Sequence, residues 1–383
     1  MLCRNFALQP RAAVPYKNDM RRTSVHPHRV MLCAGLVATA ISLLSMPASA
    51  VCTEEPAPAS ENVLWKHLGK DCSDQERVRR VVTGQEILAA LKAGKGIDLA
   101  GVVVTDDVIL DAVPAQPVEK LAGFSQSELD AIRSLDVGEV RVLAGALSIR
   151  DSNVKGTIAT KLRGGYLVIH GPVMLTGTTF ERLVDFSRTL FLGPVDGSNA
   201  IFLREAFFIG GRFPQPVRFA KTAFGPHSRF HRAHFHDSVN FQQAGFNGLS
   251  EFLEVTFDKD VNLSRTYFKQ GTGFSGARFR ALLDFSEAVF DREAFFTFTV
   301  FEADAYFRRA TFRSVADFSD AEFKGVDDFA KVLFEQTPRF ARVKRPAEGA
   351  RPHGLQNPNI QLAITLSLLL FSALLVVYLI KAR

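Results

Sequence analysis

The sequence is poor in tryptophan, cysteine and methionine, with one Trp, four Cys and five Met in 383 residues. Cys3 and Cys33 lie in an N-terminal leader described below, so Cys52 and Cys72 remain. Two lone cysteines are too few for a cysteine-based metal centre. The sequence also lacks a nucleophile motif, a glycine-rich phosphate-binding loop and a coherent catalytic set. These absences argue against an enzyme and predict no cofactor.

An excess of charge of one sign is also lacking over most of the chain. Residues 202–340 contain 18 Lys plus Arg and 18 Asp plus Glu, whereas the whole chain has a net charge of +6. The central part is therefore neutral, and the basic excess lies towards the two ends.

Phenylalanine, in contrast, is abundant, with 34 residues against five Tyr. Between Phe202 and Phe340 it recurs after alternating steps of five and six residues, with Leu263 at one of these positions. A helix is excluded because such steps place successive rings about 120–140° apart and form no stripe. A fixed short period is instead the sequence signature of a solenoid.

A small residue stands two positions before most of these phenylalanines, as Ala233 stands before Phe235. Residues two apart on an extended chain share a face. Each unit is therefore predicted to be a very short strand whose small residue and Phe point inward. The residue between them, such as His234, points outward. Rings buried in this way form a core rather than a base-stacking platform, and no nucleic-acid partner is predicted.

The motifs Ala321-Glu322-Phe323, Ala310-Thr311-Phe312 and Phe318-Ser319-Asp320-Ala321-Glu322-Phe323 resemble the repeat of the pentapeptide-repeat family. The resemblance implies an all-β fold, a right-handed quadrilateral β-helix with four five-residue faces in each coil. Here every second face has one extra residue, which predicts about 22 residues per coil and a wider corner on two of the four edges. The resemblance covers about residues 165–340 closely and 97–165 loosely.

Some pentapeptide-repeat proteins are DNA mimics that bind topoisomerases. By this resemblance, such a role would need a strongly acidic surface and a cytosolic location. The neutral repeat body and the predicted export of this chain argue against it.

Residues 22 apart should stack in successive coils at a spacing of about 4.8 Å. This stacking predicts two internal ladders of phenylalanines on opposite sides of the solenoid. One ladder comprises Phe235, Phe257, Phe279, Phe301 and Phe323, and the other comprises Phe246, Phe268, Phe290, Phe312 and Phe334.

The N-terminus has the pattern of an export signal. Basic residues precede an apolar run, residues 30–44, and the small residues Ala48-Ser49-Ala50 follow. Met20 offers an alternative start for this leader. Cys52 and Cys72, which follow the predicted cleavage site, are predicted to form a disulfide because the segment is exported.

The C-terminus has an uncharged apolar run of about 21 residues, 360–380, long enough to cross a hydrocarbon core of about 30 Å. It predicts a single transmembrane helix, with the solenoid on the periplasmic or extracellular side. The basic cluster within residues 342–351 opposes this orientation, because positive residues are disfavoured on the exported side. The signal sequence and the cysteine pair outweigh that cluster.

Two capping boxes predict helices. Thr83 with Glu86 predicts a helix over residues 84–93, and Ser125 with Glu128 predicts a helical excursion near 125–135. The excursion either covers a face or docks a partner. The predicted organisation is a leader and signal peptide (1–50), an N-terminal cap with a disulfide (51–96), a β-helix (97–341), a basic Pro-rich tether (342–359), a transmembrane helix (360–380) and a cytoplasmic tail (381–383).

Histidines cluster within one half-coil, and His231, His234 and His236 are weak candidates for zinc or copper ligands. Asp237 is the one acidic residue beside them in the sequence. A solvated polar edge explains the cluster more simply, so no metal site is predicted.

Together these features predict a non-enzymatic, membrane-anchored β-solenoid. Its expected role is a protein-interaction or structural module at the bacterial cell envelope, with a protein partner. The alternative is a domain that binds an envelope ligand or glycan, with or without an unrecognised enzymatic site.

Overall fold

The computed structural model of the protein describes residues 52–58, 62–160 and 164–346. The predicted signal peptide and the predicted transmembrane helix lie outside these residues. Within the described residues, no helix has the length and apolar character needed to cross a membrane.

The strands form four sheets of 12, 11, 9 and 10 strands, and the chain passes through the sheets in turn. They are the four faces of a right-handed solenoid, called here the first, second, third and fourth faces in chain order. Strands within each face are parallel, apart from one antiparallel strand at the N-terminal end of the first face and one at that end of the fourth. The predicted β-helix is thereby confirmed.

The first face comprises Glu54–Glu55, Val63–Leu68, Gly96–Ala100, Leu147–Arg150, Val173–Met174, Val195–Asp196, Val217–Arg218, Val239–Asn240, Val261–Asn262, Leu283–Asp284, Ala305–Tyr306 and Asp327–Asp328. The second face comprises Val82–Thr83, Val103–Thr105, Asn153–Val154, Thr179–Phe180, Ile201–Phe202, Ala223–Phe224, Gly245–Phe246, Tyr267–Phe268, Val289–Phe290, Thr311–Phe312 and Leu333–Phe334. The third face comprises Val108–Ile109, Ile158–Ala159, Val184–Asp185, Ala206–Phe207, His227–Arg229, Leu249–Glu251, Thr272–Gly273, Ala294–Phe295 and Ala316–Asp317. The fourth face comprises Ala115–Pro117, Glu139–Leu143, Tyr166–Ile169, Thr189–Phe191, Arg212–Phe213, His234–Phe235, Thr256–Phe257, Arg278–Phe279, Val300–Phe301 and Glu322–Phe323.

The strand register gives the length of a coil directly. Val173 pairs with Val195, and Val195 pairs with Val217, so each coil adds 22 residues. Nearer the N-terminus the intervals are longer: Leu147 pairs with Val173, and Ile97 pairs with Leu147. The coil length read from the phenylalanine spacing therefore holds for the regular part of the solenoid.

Two of the four corners in each coil are tight turns, which lie within the five-residue steps. In the turn from Phe230 to Ala233, the Ala233 N–H donates to the Phe230 carbonyl at 3.0 Å. Arg232, the third residue of the turn, has a φ of 54°, in the left-handed region. This geometry recurs every coil at two corners, where the third residue is most often not glycine. The extra residue of each six-residue step lies at the other two corners, as between Phe235 and Phe241, and these are the wider corners that the spacing predicted.

The interior is filled by phenylalanine. The rings of Phe235 and Phe257 stack on the fourth face at 4.9 Å, and those of Phe246 and Phe268 stack on the second face at 5.0 Å. Between these ladders, Phe230 of the third face meets Phe241 of the first edge to face at 5.7 Å. Parallel stacking along the axis and edge-to-face packing across it both suit the ring quadrupole.

The N-terminal end is closed by α1 (Asp74–Arg79) and α2 (Gly84–Lys92). Helix α2 has the predicted capping box, whereas α1, capped by Ser73, was not predicted. The predicted disulfide between Cys52 and Cys72 is present. The first face already begins before residue 97, because Val63–Leu68 pairs with Gly96–Ala100. That strand has no Phe to mark it in the sequence.

Helix α3 (Gln126–Arg133) is the predicted excursion, and short 3₁₀ helices, Leu110–Ala112 and Val118–Lys120, precede it. It lies on the outer side of the fourth face, where Ile132 is fully buried in a cluster that includes Val140, Val168 and Leu190. The outward side chains of these coils are apolar, and α3 shields them from water. This is the first of the two roles predicted for the excursion, which was to cover a face.

Candidate functional site

Two histidine–carboxylate clusters lie on the outer surface of neighbouring coils. The first contains His234, His236 and Asp258 on the fourth face. His234 and His236 flank the inward Phe235, so both rings point outward from the same strand. His234 Nε2 and His236 Nδ1 each lie 2.9 Å from the same carboxylate oxygen, Asp258 Oδ2.

This first cluster is half-buried. Burial holds the pKa of His234 below its usual value, although the hydrogen bond to Asp258 acts in the opposite direction. Burial also raises the pKa of Asp258, but the hydrogen bonds from His234 and His236 outweigh that effect and lower it. The cluster therefore presents a neutral His234 and an ionised Asp258 near neutral pH.

The second cluster contains His227, Arg229, His231 and Glu251 on the third face. His227 Nε2 lies 2.7 Å and Arg229 Nε 2.8 Å from the same oxygen, Glu251 Oε2. His231 Nε2 lies 3.3 Å from that oxygen but outside hydrogen-bonding geometry. A permanent cation, the Arg229 guanidinium, thus already neutralises this carboxylate.

The structure separates the three histidines that the sequence grouped. It brings together His234 and His236 but places His231 with Glu251, on the preceding face. The sequence reasoning looked only at residues adjacent in the chain, and it missed Asp258. The 22-residue period could have identified it, because Asp258 lies one coil after His236.

An apolar patch also lies on the third face, made by Leu249, Leu253, Phe295 and Phe298 around a glycine floor. Gly273 pairs with Phe295 in the neighbouring strand. A methyl group added at Gly273 would lie 2.9 Å from Leu253 Cδ2, so the leucine side chain packs closely against the glycine. The patch is therefore an apolar surface area with a glycine at its centre.

Phe298 is the most exposed residue of this patch. Its side chain is 64% exposed, and Phe295 is 39% exposed. Phe298 occupies a tight corner with a φ of 57°, where neighbouring coils have Gly276 or Asp320. A bulky residue with positive φ is a genuine outlier that carries backbone strain. Phe298 thus places a large apolar side chain at a position where its equivalents are small or polar.

Charged residues border the patch on both sides along the solenoid. On one side lies Glu251, which contacts His227 and Arg229 and pairs with Gly273 in the neighbouring strand. Asp317, which faces Arg339 at 3.4 Å, follows Phe295 on the other. An apolar centre with a polar rim is the usual anatomy of a protein–protein interface.

The outer first face has a depression of about 320 Å³ near Asn240, Asn262 and Asp284. The Oδ1 atom of each accepts the backbone N–H two residues later, at 2.8–3.0 Å. These side chains therefore build the adjoining turns, and the depression offers few free polar groups for a ligand.

Surface charges are matched between coils. Arginine and carboxylate side chains 22 residues apart form surface ion pairs, for example Arg232–Glu254, Arg265–Glu287 and Arg342–Asp320 at N–O distances of 2.6–2.9 Å. Exposed pairs of this kind contribute little to stability. Their main consequence is that opposite charges alternate, in keeping with the neutral composition of the repeat body.

Comparison with protein families matches residues 226–267 to the family model of pentapeptide repeats (9 copies). This segment contains both histidine clusters and part of the apolar patch. No curated protein and no solved structure matches the chain.

Proposed function

We propose that this chain, a member of the pentapeptide-repeat family by its matched segment and its four-faced solenoid, is a non-enzymatic protein-interaction module of the cell envelope. The solenoid provides a rigid and electrically neutral body. The apolar patch on its third face binds a protein partner. A C-terminal transmembrane helix holds the module at the membrane.

The observation that carries this proposal is the exposure of Phe298 beside Phe295. Aromatic residues are enriched at the centres of interfaces, where they anchor the partner. A repeat corner accepts glycine without strain, so a phenylalanine there is unfavourable for folding alone. A partner with an apolar side chain over the Gly273 floor would cover both rings and leave the charged rim in water.

The proposed location rests on the sequence features at both ends and on the disulfide. A disulfide between Cys52 and Cys72 is expected to persist in an oxidising compartment. Protease treatment of intact spheroplasts tests this location. Digestion of the solenoid supports exposure outside the cytoplasmic membrane, and protection that is lost only after lysis contradicts it.

Site-specific photocrosslinking in membranes tests the interaction surface. A photoreactive phenylalanine analogue at position 298 fits the existing side chain closely. The matched control carries the analogue at Gln243, a positive-φ corner residue on the opposite edge of the solenoid. We expect one stoichiometric protein adduct from position 298 and none from position 243.

Two results would count against the proposal. One is the absence of an adduct from position 298 in membranes in which the protein is folded and abundant. The other is an adduct only to lipid, which would assign the patch to the membrane surface. An adduct to a second copy of this chain would show that the patch mediates self-association and does not bind a different protein.

A further inference from the structure

We propose that His234, His236 and Asp258 form a binding site for a divalent transition-metal ion, with Zn²⁺ as the best-fitting ion. Two imidazole nitrogens and one carboxylate oxygen are a common donor set for such ions. The three ligand atoms lie within 4.8 Å of one another on the outer fourth face.

The ligand atoms already converge on one point. His234 Nε2 and His236 Nδ1 both lie 2.9 Å from Asp258 Oδ2. Ligand atoms around a tetrahedral zinc ion, with bonds of about 2.0–2.1 Å, are about 3.3 Å apart. A metal ion would replace both contacts, with each imidazole proton moving to the other ring nitrogen, and would lengthen each of these nitrogen–oxygen distances by about 0.4 Å.

The backbone that carries these ligands is rigid. His234 pairs with Thr256, and the adjacent Phe235 pairs with Phe257 inside the stacked core. His236 and Asp258 directly follow these strands, where their backbone N–H groups donate to the Phe213 and Phe235 carbonyls, each at 2.9 Å. Backbone held next to paired strands positions ligands more exactly than a free loop does.

The ligands are partly accessible to solvent, with the side chains of His234 and Asp258 26% and 19% exposed. His236, which is 43% exposed, leaves an open side from which the ion can enter.

Two arginines face the site, but neither contacts Asp258 Oδ2, the oxygen that both histidines approach. Arg280 Nη1 binds the other carboxylate oxygen, Asp258 Oδ1, at 3.0 Å. This contact orients Asp258 as a supporting partner orients a metal ligand. Arg212, one coil before His234, directs Nη1 to the Arg232 carbonyl at 2.9 Å. Three protein ligands leave a fourth position for water or for a group from a partner.

The Glu251 cluster supplies an internal comparison. It also has two histidines beside a carboxylate, but the Arg229 guanidinium lies on the very oxygen that His227 approaches. A metal ion there would have to displace a permanent cation, so this cluster should not bind one. The two clusters are near in space and similar in composition, which makes the second a matched control.

Metal titration of the purified full-length chain in detergent tests the site. The protein is first treated with a chelator and then titrated with Co²⁺, whose visible absorption reports its coordination, and Zn²⁺ displaces it. We expect one ion per chain. His234→Ala, His236→Ala and Asp258→Asn should each weaken Zn²⁺ binding by roughly tenfold or more, whereas the His227→Ala/His231→Ala double variant should leave it unchanged.

Circular dichroism of each variant shows whether it is folded, and Asp258→Asn preserves the size of the side chain if a histidine variant is unstable. Wild-type affinity weaker than about 0.1 mM would overturn the site. Equal weakening by the control variant would also overturn it, because it would show non-specific binding to surface histidines.

Discussion

At the scale of single residues, many outward polar side chains of the solenoid serve its turns. Asn240 and Asn262 accept the backbone N–H two residues later, and Asp185 accepts that of Ser187 at 2.8 Å. Asp185 differs because burial, with a smaller contribution from Asp111, raises its pKa despite this hydrogen bond. The position needs an acceptor oxygen but gains nothing from a charge.

Asp185→Asn should therefore stabilise the protein, since the amide oxygen keeps the turn and the buried charge is removed. Asp185 has a raised pKa in the folded state, so its penalty is absent below the ordinary pKa near 3.8 and is fully present above the raised pKa. We expect a gain on the order of 1 kcal/mol at pH 7 and little gain near pH 3.5, measured by urea unfolding.

Asp185→Ala is the control, because it removes both the charge and the acceptor for Ser187. It should be less stable than Asp185→Asn at every pH. A gain from Asp185→Asn that is the same at both pH values would contradict the role assigned to burial.

At the scale of elements, the repeated unit is a two-residue strand followed by a corner. The alternation of inward and outward side chains follows directly from the strand, and it was readable in the sequence from Ala233 and Phe235. The left-handed residue at the tight corners could not be predicted, because Arg232, Gln243 and Phe298 share no side-chain property that marks a positive φ.

Gln243→Gly should stabilise the solenoid, because Gln243 has a φ of 59°. A left-handed conformation costs a residue with a side chain about 1–2 kcal/mol, and the extra freedom of glycine in the unfolded chain offsets about 0.5–1 kcal/mol. A net gain of about 0.5–1 kcal/mol is expected in thermal or urea unfolding.

The neighbouring residue, Gln242, does not have a positive φ and is the matched control. Gln242→Gly should destabilise the protein, because only the entropic term remains. Similar effects of the two substitutions would show that the corner stores no strain.

At the scale of the whole molecule, stability and register come from contacts between adjacent coils. Each coil stacks its rings on the next, as Phe279 stacks on Phe257 and Phe301. Such a solenoid is close to a one-dimensional array, in which each repeat contacts only its neighbours. The coil is therefore the natural unit of insertion and deletion.

Deletion of residues 283–304, one complete coil, should leave a folded solenoid. Ala305 then takes the place of Leu283 and stacks on Val261, because these residues are partners in register. Circular dichroism should keep its β spectrum, with a thermal midpoint within about 5 °C of the wild type.

Deletion of 283–303 is the control, since it places Asp304 at an inward position. A slip of one residue exchanges inward and outward side chains along the strand. This variant should lose the cooperative transition, and equal stability of the two deletions would contradict the assigned register.

Two features could be predicted because each depends on local spacing: the β-solenoid and its 22-residue coil. The Cys52–Cys72 disulfide was predicted on a different ground, because these are the two cysteines that follow the predicted export signal. The steps of five and six residues specify which side chains face inward, whatever the rest of the chain does. The strand Val63–Leu68 was not predicted, because it contains no Phe that would mark it in the sequence.

The tertiary structure decided which outward side chains make contact, although the 22-residue period indicates which of them are one coil apart. Asp258 joins His234 and His236, and Phe295 lies across Gly273, because lateral neighbours are one coil apart and their contacts depend on exact register. It likewise placed α3 over Val168 and Leu190. Inward positions repeat along the sequence, so they could be predicted from it. Outward positions do not repeat, and a site on the outer surface forms only when neighbouring coils stack.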